Sequence, residues 1–386
     1  MKTQATRGET SAVGEVLYMA LELSNAKWLV QFSAGSGKQR QVGVTARKLD
    51  RLLAEIKAAK RQLGLSQQAR VVSCYEAGRD GFWLDRALRS HGIENLVVDS
   101  SSIEVPQRAK RKKTDRLDLG KLMALLRRWA GGETGVWSVV RVPGVEAEDV
   151  RQLSRTIERL KAERGRHRSR IKSLLAIQGL KLASIGGRTW AKRVEELRGW
   201  DGAALPRYLQ LDLITEGERL ALVTGQLSAL QRERDELVAT SPQPAAVKAR
   251  QLARLGAIAE ESSFVFSTEV FGWRTFANRR EVAGCSGITP TPYASGDSSR
   301  EQGLSKAGNK RMRTMLVEIA WCWLRYQPAS ALAQWWQRRF GRTGGRARKV
   351  AIVALARKLL VALWHYLEHG VVPEGAKLKP TAGVVA

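Results

Sequence analysis

Three cysteines in 386 residues, Cys74, Cys285 and Cys322, are too few and too scattered for a disulfide framework, and no two of them form a CxxC motif. A reducing, cytoplasmic setting fits that usage. The chain also lacks any uninterrupted apolar run long enough to span a membrane. Residues 1–20 lack the charged-then-apolar layout of a secretory signal. Acid is scarce as well: 37 Asp and Glu stand against 65 Lys and Arg, a formal net charge of +28. A cationic excess that recurs along the chain points to a polyanionic partner. No amphipathic anchor directs it to a membrane, so nucleic acid is the expected partner. The rest is ordinary, with 44% hydrophobic residues and enough length for two or three domains with cores.

After a polar lead of residues 1–14, three strand-like runs follow: "VLYMALEL" (16–23), "KWLVQFS" (27–33) and "KQRQVGVT" (38–45). Short turns join them into an antiparallel meander. Leu49, Leu52, Leu53, Ile56 and Leu63 form the stripe of a helix. A strand at 70–78, a helix at 81–92 and a strand at 94–100 come next, then a basic loop and a helix carrying Asp115 and Asp118. The order βββαβαβα is the layout of ribonuclease-H-like (RuvC-type) nuclease folds, and it assigns residues 1–145 to an α/β domain.

Beyond it the pattern becomes helical. Val150, Leu153, Ile157, Leu160, Arg164, His167, Ile171 and Leu174 keep a coiled-coil-like spacing, with His167 as a register-setting polar residue. A second helix at about 214–239 completes an expected antiparallel arm, residues 146–246, with arginines on its outer face. "SPQPAA" (241–246) ends it. Residues 247–386 are predicted to be a mainly helical domain with one glycine- and serine-rich loop at 284–308.

On this fold Glu22 ends the first strand, Glu76 ends the fourth, and Asp115 and Asp118 share one helix face. Two readings compete for the aspartates. One is a capping box opening the helix. The other is a carboxylate set binding two Mg2+ ions for phosphoryl transfer. The second also accounts for Glu22 and Glu76, and it gives Arg108, Lys110, Arg111, Lys112 and Lys113 a purpose as phosphate clamps. In the serine-rich loop, Ser286, Ser295, Ser298, Ser299 and Ser305 lie near Arg300, Lys306, Lys310, Arg311 and Arg313. The loop either supplies a nucleophile or grips phosphate with hydroxyls and backbone N–H groups.

"VLYMALELSNAKWLVQF", "CYEAG", "KRKKTDRLDLGKL" and, far downstream, "FANRREVAGCSGITPTPYASGDSSREQGLSKAGNKRMR" resemble the DEDD transposases of the 110/1111 family of insertion sequences. The resemblance runs from about residue 15 to about residue 340. Where the family usually carries aspartate, this chain has Glu22, the same charge on a side chain one methylene longer. The resemblance implies that Ser295, in its Ser-Gly pair, is the nucleophile that joins covalently to DNA. It also implies a structured guide RNA that pairs with donor and target DNA, and a homo-oligomer, dimer or tetramer, in which the acidic domain of one protomer meets the serine domain of another. A bacterial, cytoplasmic location, nucleoid-associated during activity, is expected with it. The alternative reading is a magnesium-dependent, junction-resolving nuclease in which water attacks, and a third is a non-catalytic RNA-binding protein.

Other signals are weaker. "QLARLGAIAEESSFVF" resembles the helix-hairpin-helix-like stretch with which relatives grip a DNA backbone. "QRRFGRTGGRARK" (337–349) reads as a phosphate-binding surface. "HYLEH" (365–369) fits H-x-x-E-H but lacks a convincing further ligand downstream, so a helix face with two histidines is expected. "SAGSGKQR" is a hairpin turn, since Phe32 and Gln39 stand where a phosphate loop needs Gly and Ser or Thr.

Overall fold

The computed structural model describes residues 15–35, 37–103, 115–295, 298–305 and 308–380, and for 101, 115–118, 290–295 and 298–302 it describes the backbone only. The chain divides into two compact units between Val142 and Pro143. The first is built on a five-stranded sheet of order β3-β2-β1-β4-β5. β1 (Val16–Glu22), β2 (Lys27–Ser33) and β3 (Gln39–Thr45) are the antiparallel meander, while β4 (Arg70–Glu76) and β5 (Glu94–Val98) run parallel to β1. Each of these strands falls within two residues of its predicted span, because short apolar runs closed by turn residues mark buried strands.

The two faces of the sheet bury different sets. Leu17, Met19, Leu21, Trp28, Val30, Phe32 and Tyr75 pack with Leu52 and Ile56 of α1 (Leu49–Gln62) and with Leu84 and Leu88 of α2 (Trp83–Ser90). Ala20, Val72, Cys74, Leu96 and Val98 on the opposite face lie under Leu119, Leu122, Met123 and Leu126 of α3 (Asp115–Ala130). Two contacts give the direction of α3. The Cys74 thiol approaches the Leu122 carbonyl at 3.9 Å, and Arg127 donates to the Gly35 carbonyl at 2.9 Å. Gly35 lies in the β2–β3 turn, at the amino end of β1, so α3 runs antiparallel to β1 and β4. Its first turn is therefore at the edge where those two strands end.

The second unit opens with α4 (Val145–Ala176) and α6 (Arg207–Thr240), with the short α5 (Trp190–Glu196) between them. α4 and α6 are antiparallel: Val150 and Leu153 cluster with Leu237 and Val238, and Ile171 and Leu175 with Leu213 and Leu220. The polar seam position is paired, since His167 Nδ1 lies 2.7 Å from a carboxylate oxygen of the buried Glu216. Burial alone pushes the Glu216 carboxyl up, yet hydrogen bonds with His167 and Arg219 outweigh it and hold it below its ordinary value.

α7 (Pro244–Ala253), α8 (Glu260–Phe266) with a π-helical turn (Ser267–Phe271), α9 (Arg279–Ser286), α10 (Lys310–Tyr326), α11 (Ala331–Phe340) and α12 (Gly345–His369) form the rest. By length and composition α12 could cross a membrane, but over half of its apolar stretch is buried. Leu355, Leu359, Leu360 and Leu363 lie at the centre of the core. Where a serine-rich loop was expected, the chain forms a two-stranded antiparallel hairpin, β6 (Pro290–Ser295) with β7 (Ser298–Leu304).

Gly217 on α6 shows how closely the arm is packed. A Cβ there would meet Trp190 Cδ1 at 2.0 Å, and the Trp190 indole donates to the Leu213 carbonyl at 2.7 Å. On an exposed helix, Gly→Ala gains about 1 kcal/mol. Here overpacking costs about 1–3 kcal/mol, so Gly217→Ala is expected to lower the thermal midpoint, as measured by circular dichroism.

Candidate active site

Strand alternation assigns the terminal acids of β1 and β4 to a face. Ala20 and Cys74 point to the α3 side, so Glu22 and Glu76, two residues further along each strand, share that side. The parallel register pairs Leu21 with Tyr75, which makes Glu22 and Glu76 the next neighbours at the carboxyl ends of adjacent strands. Both line a cleft of about 360 Å3, together with Ser24 and Asn25 of the β1–β2 turn and Gly78, Arg79 and Asp80 of the β4–α2 turn. Beside it, burial first and the charge of Glu76 second push the Cys74 thiol well above its ordinary value, so this buried sulfur stays protonated.

Arg47 ties the two turns together. Its guanidinium donates to Asn25 Oδ1 at 3.1 Å and lies 3.8 Å from the Asp80 carboxylate. Arg47 has a φ of 64°, a left-handed conformation uncommon for a residue with a side chain. Asp80, nearly buried and also 3.8 Å from Arg79, is an acid of this cleft that sequence reading did not select. The available signal was its place in the turn that follows Glu76.

The remaining acids, Asp115 and Asp118, occupy the first turn of α3, one helical turn before Leu119 and Leu122. The backbone of that turn lies at the edge where Glu22 and Glu76 end their strands. Among the described residues no group of three or more His, Cys, Asp or Glu could hold a metal. Glu22 and Glu76 do provide two hard oxygen ligands in one cleft. That suits Mg2+, which takes one or two carboxylates and leaves its other positions to water and phosphate. Arg108, Lys110, Arg111, Lys112, Lys113 and Lys306 lie outside the described residues.

In the second unit Ser295 is the last residue of β6 and is paired across the hairpin with Ser298, while Ala294 is paired with Ser299 and Tyr293 with Arg300. Residues 296 and 297, between the strands, lie outside the described residues. The other Ser-Gly pair of the motif has a structural task. Ser286 is fully buried with its hydroxyl donated to the Ala283 carbonyl, and Gly287 ends α9 with a left-handed φ of 65°. Ser305 is exposed, and its backbone N–H is donated to the Thr289 carbonyl at 2.9 Å.

The chain leaves the hairpin through a buried ionic node. Asn309 caps α10 by accepting from the Met312 N–H, and its amide donates to Glu269 at 2.7 Å. Glu269, on the π-helical turn, also accepts two bonds from Arg155 of α4, at 3.0 and 3.1 Å, and one from Arg311. Arg311 additionally pairs with Glu158 and reaches the Ser154 carbonyl. Its guanidinium is thus turned inward. Lys310 is exposed, and Arg313 donates to the Ser286 carbonyl at 3.1 Å. Burial alone would push the Glu269 carboxyl up, but Arg155, Asn309 and Arg311 together hold it below the ordinary carboxylate value.

Two weaker motifs are engaged elsewhere. In the helix-hairpin-helix-like stretch the Gly256 N–H is donated to the Lys377 carbonyl at 3.1 Å, and Ala257 takes the left-handed conformation (φ 78°) that glycine adopts without cost. In "HYLEH" both histidines stack near Trp364 while Glu368 pairs with Lys248.

Comparison with known proteins agrees with the class of protein that these two motif regions suggest. Residues 249–335 match the family model described as "Transposase IS116/IS110/IS902 family". The chain is 42% identical over 378 residues to y4rJ of Sinorhizobium fredii, a protein named as a transposase, with 94% of each chain covered. It is 34% identical over 109 residues to the transposase of insertion sequence element IS1533 of Leptospira borgpetersenii, covering 28% of this chain and 30% of that one. With the transposase of element IS1328 of Yersinia enterocolitica it shares 26% identity over 171 residues, 44% of this chain and 48% of that one. The chain is an insertion-sequence transposase and belongs to the IS116/IS110/IS902 family.

The node of Glu269 has a pH signature. A carboxyl held below its unfolded value contributes stability that is fully present above about pH 4.3 and is lost as pH falls through the folded value. Glu269→Gln is expected to cost about 3 kcal/mol at pH 7, because Arg155 and Arg311 lose their charge partner. It should also flatten the decline in stability below about pH 4.3. Urea unfolding at pH 7 and pH 4 measures both effects.

Proposed function

We propose that this transposase is an RNA-guided recombinase that cuts and rejoins donor and target DNA through a covalent Ser295–DNA link, with Mg2+ held by Glu22, Glu76, Asp115 and Asp118. The observation that carries this reading is the pairing of Glu22 and Glu76 at the carboxyl ends of two parallel strands, in one cleft, with the first turn of α3 at the same edge. The strand order and the helices on both faces support a ribonuclease-H-like (RuvC-type) nuclease fold for the first unit. The guide RNA and the homo-oligomer rest on the family resemblance alone.

Bound at the four carboxylates, a divalent metal supplies Lewis-acid stabilisation of charge on phosphate oxygens. The protein's own groups do the rest. Ser295 Oγ forms a bond to phosphorus, a P–O bond of the phosphodiester breaks, and the released sugar hydroxyl takes up the proton. No histidine lies near Ser295 in sequence, so the hydroxyl has no local Ser–His partner for activation. Arg47 keeps the cleft walls together through Asn25 and Asp80. Arg108, Lys110, Arg111, Lys112, Lys113, Arg300, Lys306, Lys310 and Arg313 serve phosphates, whereas Arg311 acts at one remove by fixing Glu269.

Three sets of variants test the reading. Asp118→Ala is expected to abolish cleavage, by at least about a hundredfold, while binding DNA as tightly as wild type in a filter assay. Glu22→Gln should cost far more activity than Glu22→Asp, because the amide removes charge and the aspartate only shortens reach. Denaturing gels of trapped reactions should show DNA-linked protein for wild type, Ser298→Ala and Ser299→Ala, and none for Ser295→Ala. Cutting without any adduct in wild type would instead assign the reaction to water, as in a junction-resolving nuclease.

A further inference from the structure

The family model ends at residue 335. Across that end the charge is single-signed: between Glu318 and Glu368 every charged residue is Lys or Arg. α11 ends at Phe340, and Gly341-Arg342-Thr343-Gly344 leads into α12. This short turn is tightly held. A Cβ on Gly341 would meet the Gln337 carbonyl at 2.5 Å, and the Thr343 N–H and hydroxyl both close on the Phe340 carbonyl, at 2.9 and 2.7 Å. From 345 to 350 every residue of α12 is exposed, and only at Ala351 does the helix enter the core. At 1.5 Å per residue, about 9 Å of helix is thus open to solvent.

The cations here are held by aromatic rings. The Arg348 guanidinium lies 5.3 Å from the ring centre of Trp321 on α10 and 5.9 Å from that of Trp336 on α11, and Lys358 Nζ lies 4.8 Å from that of Trp335. Arg342, Arg346 and Lys349 are exposed and have no carboxylate partner among the described residues.

We infer that the α11–α12 segment of the second unit is a further nucleic-acid surface of this transposase, and that it takes duplex DNA with the exposed first turns of α12 in the major groove. The inference rests on side-chain charge and on shape. The major groove of B-form DNA, about 12 Å wide, admits a helix. The major groove of A-form RNA is deep and narrow and does not. A second copy of the chain is disfavoured, because a two-fold contact would set this cationic patch against itself.

The inference depends on family membership but on neither the four-acid site nor the serine nucleophile. It is tested by binding without chemistry, so the two can fail separately. The full chain and its Arg342→Gln/Arg346→Gln/Lys349→Gln variant are titrated by fluorescence anisotropy, across a salt series and without guide RNA. The probes are a 30-base-pair DNA duplex of arbitrary sequence, about three turns of the double helix, and an RNA duplex of the same sequence. The expected result is a DNA salt dependence shallower by about 0.9 per lost phosphate contact, and DNA affinity at least about tenfold weaker at low salt. The RNA affinity should change by less than about threefold. The variant replaces exposed side chains only, and its thermal midpoint checks its folding. Lys349→Gln alone should give about one third of the change in slope. Unchanged DNA binding overturns the inference, as does equal loss for DNA and RNA. So does a shift in oligomeric state with DNA affinity intact, which would mark the surface as a contact between copies.

Discussion

The parallel pairing of β1 with β4 is the constraint on which the first unit depends. β1 is also paired antiparallel to β2, so it is the strand at which the sheet changes from meander to crossover. That one ladder brings Glu22 beside Glu76 although more than fifty residues separate them in the chain. It also provides the surface of Ala20 and Cys74 on which α3 lies. An antiparallel pairing would send the two acids to opposite ends of the sheet, and no loop rearrangement could reunite them.

In the second unit the comparable role falls to a single carboxylate. Glu269 is fully buried, and three residues from two other elements converge on it. An ion in such a place is costly unless every lone pair is matched. Here the matching residues are Asn309 and Arg311 at the start of α10, just past the hairpin, and Arg155 on the arm. The arrangement makes the re-entry point of the hairpin a property of the arm helix as much as of its own sequence.

Much of the first unit was legible in the sequence because its elements are the kinds that periodicity reveals. Val16 to Leu21 form a short apolar run closed by a turn, and Leu52, Leu53 and Ile56 keep a helical stripe. The hairpin escaped because Pro290 and Pro292 argue against a strand, a rule that holds for central strands and relaxes in an isolated two-stranded ribbon. α5 is too short, at seven residues, for a helical period to register. Asp80 escaped because a turn acid among glycines looks like ordinary turn chemistry. Glu269 left one trace, a lone acid in the apolar stretch "FVFSTEVF". That pattern foretells a buried charge, but not the identity of Arg155, over a hundred residues earlier, as its partner.

The hairpin has a further consequence for how this gene can drift. The ladder pairs Ser295 with Ser298 only in the present register, which already carries one irregularity between Pro290 and Pro292. An insertion or deletion in either strand would shift this backbone pairing and displace the serine along the ribbon. Length is therefore the more constrained property of this segment. Its composition is free to vary at positions that meet neither the tip nor the core, so lineages of such elements should diverge here by substitution and not by indels.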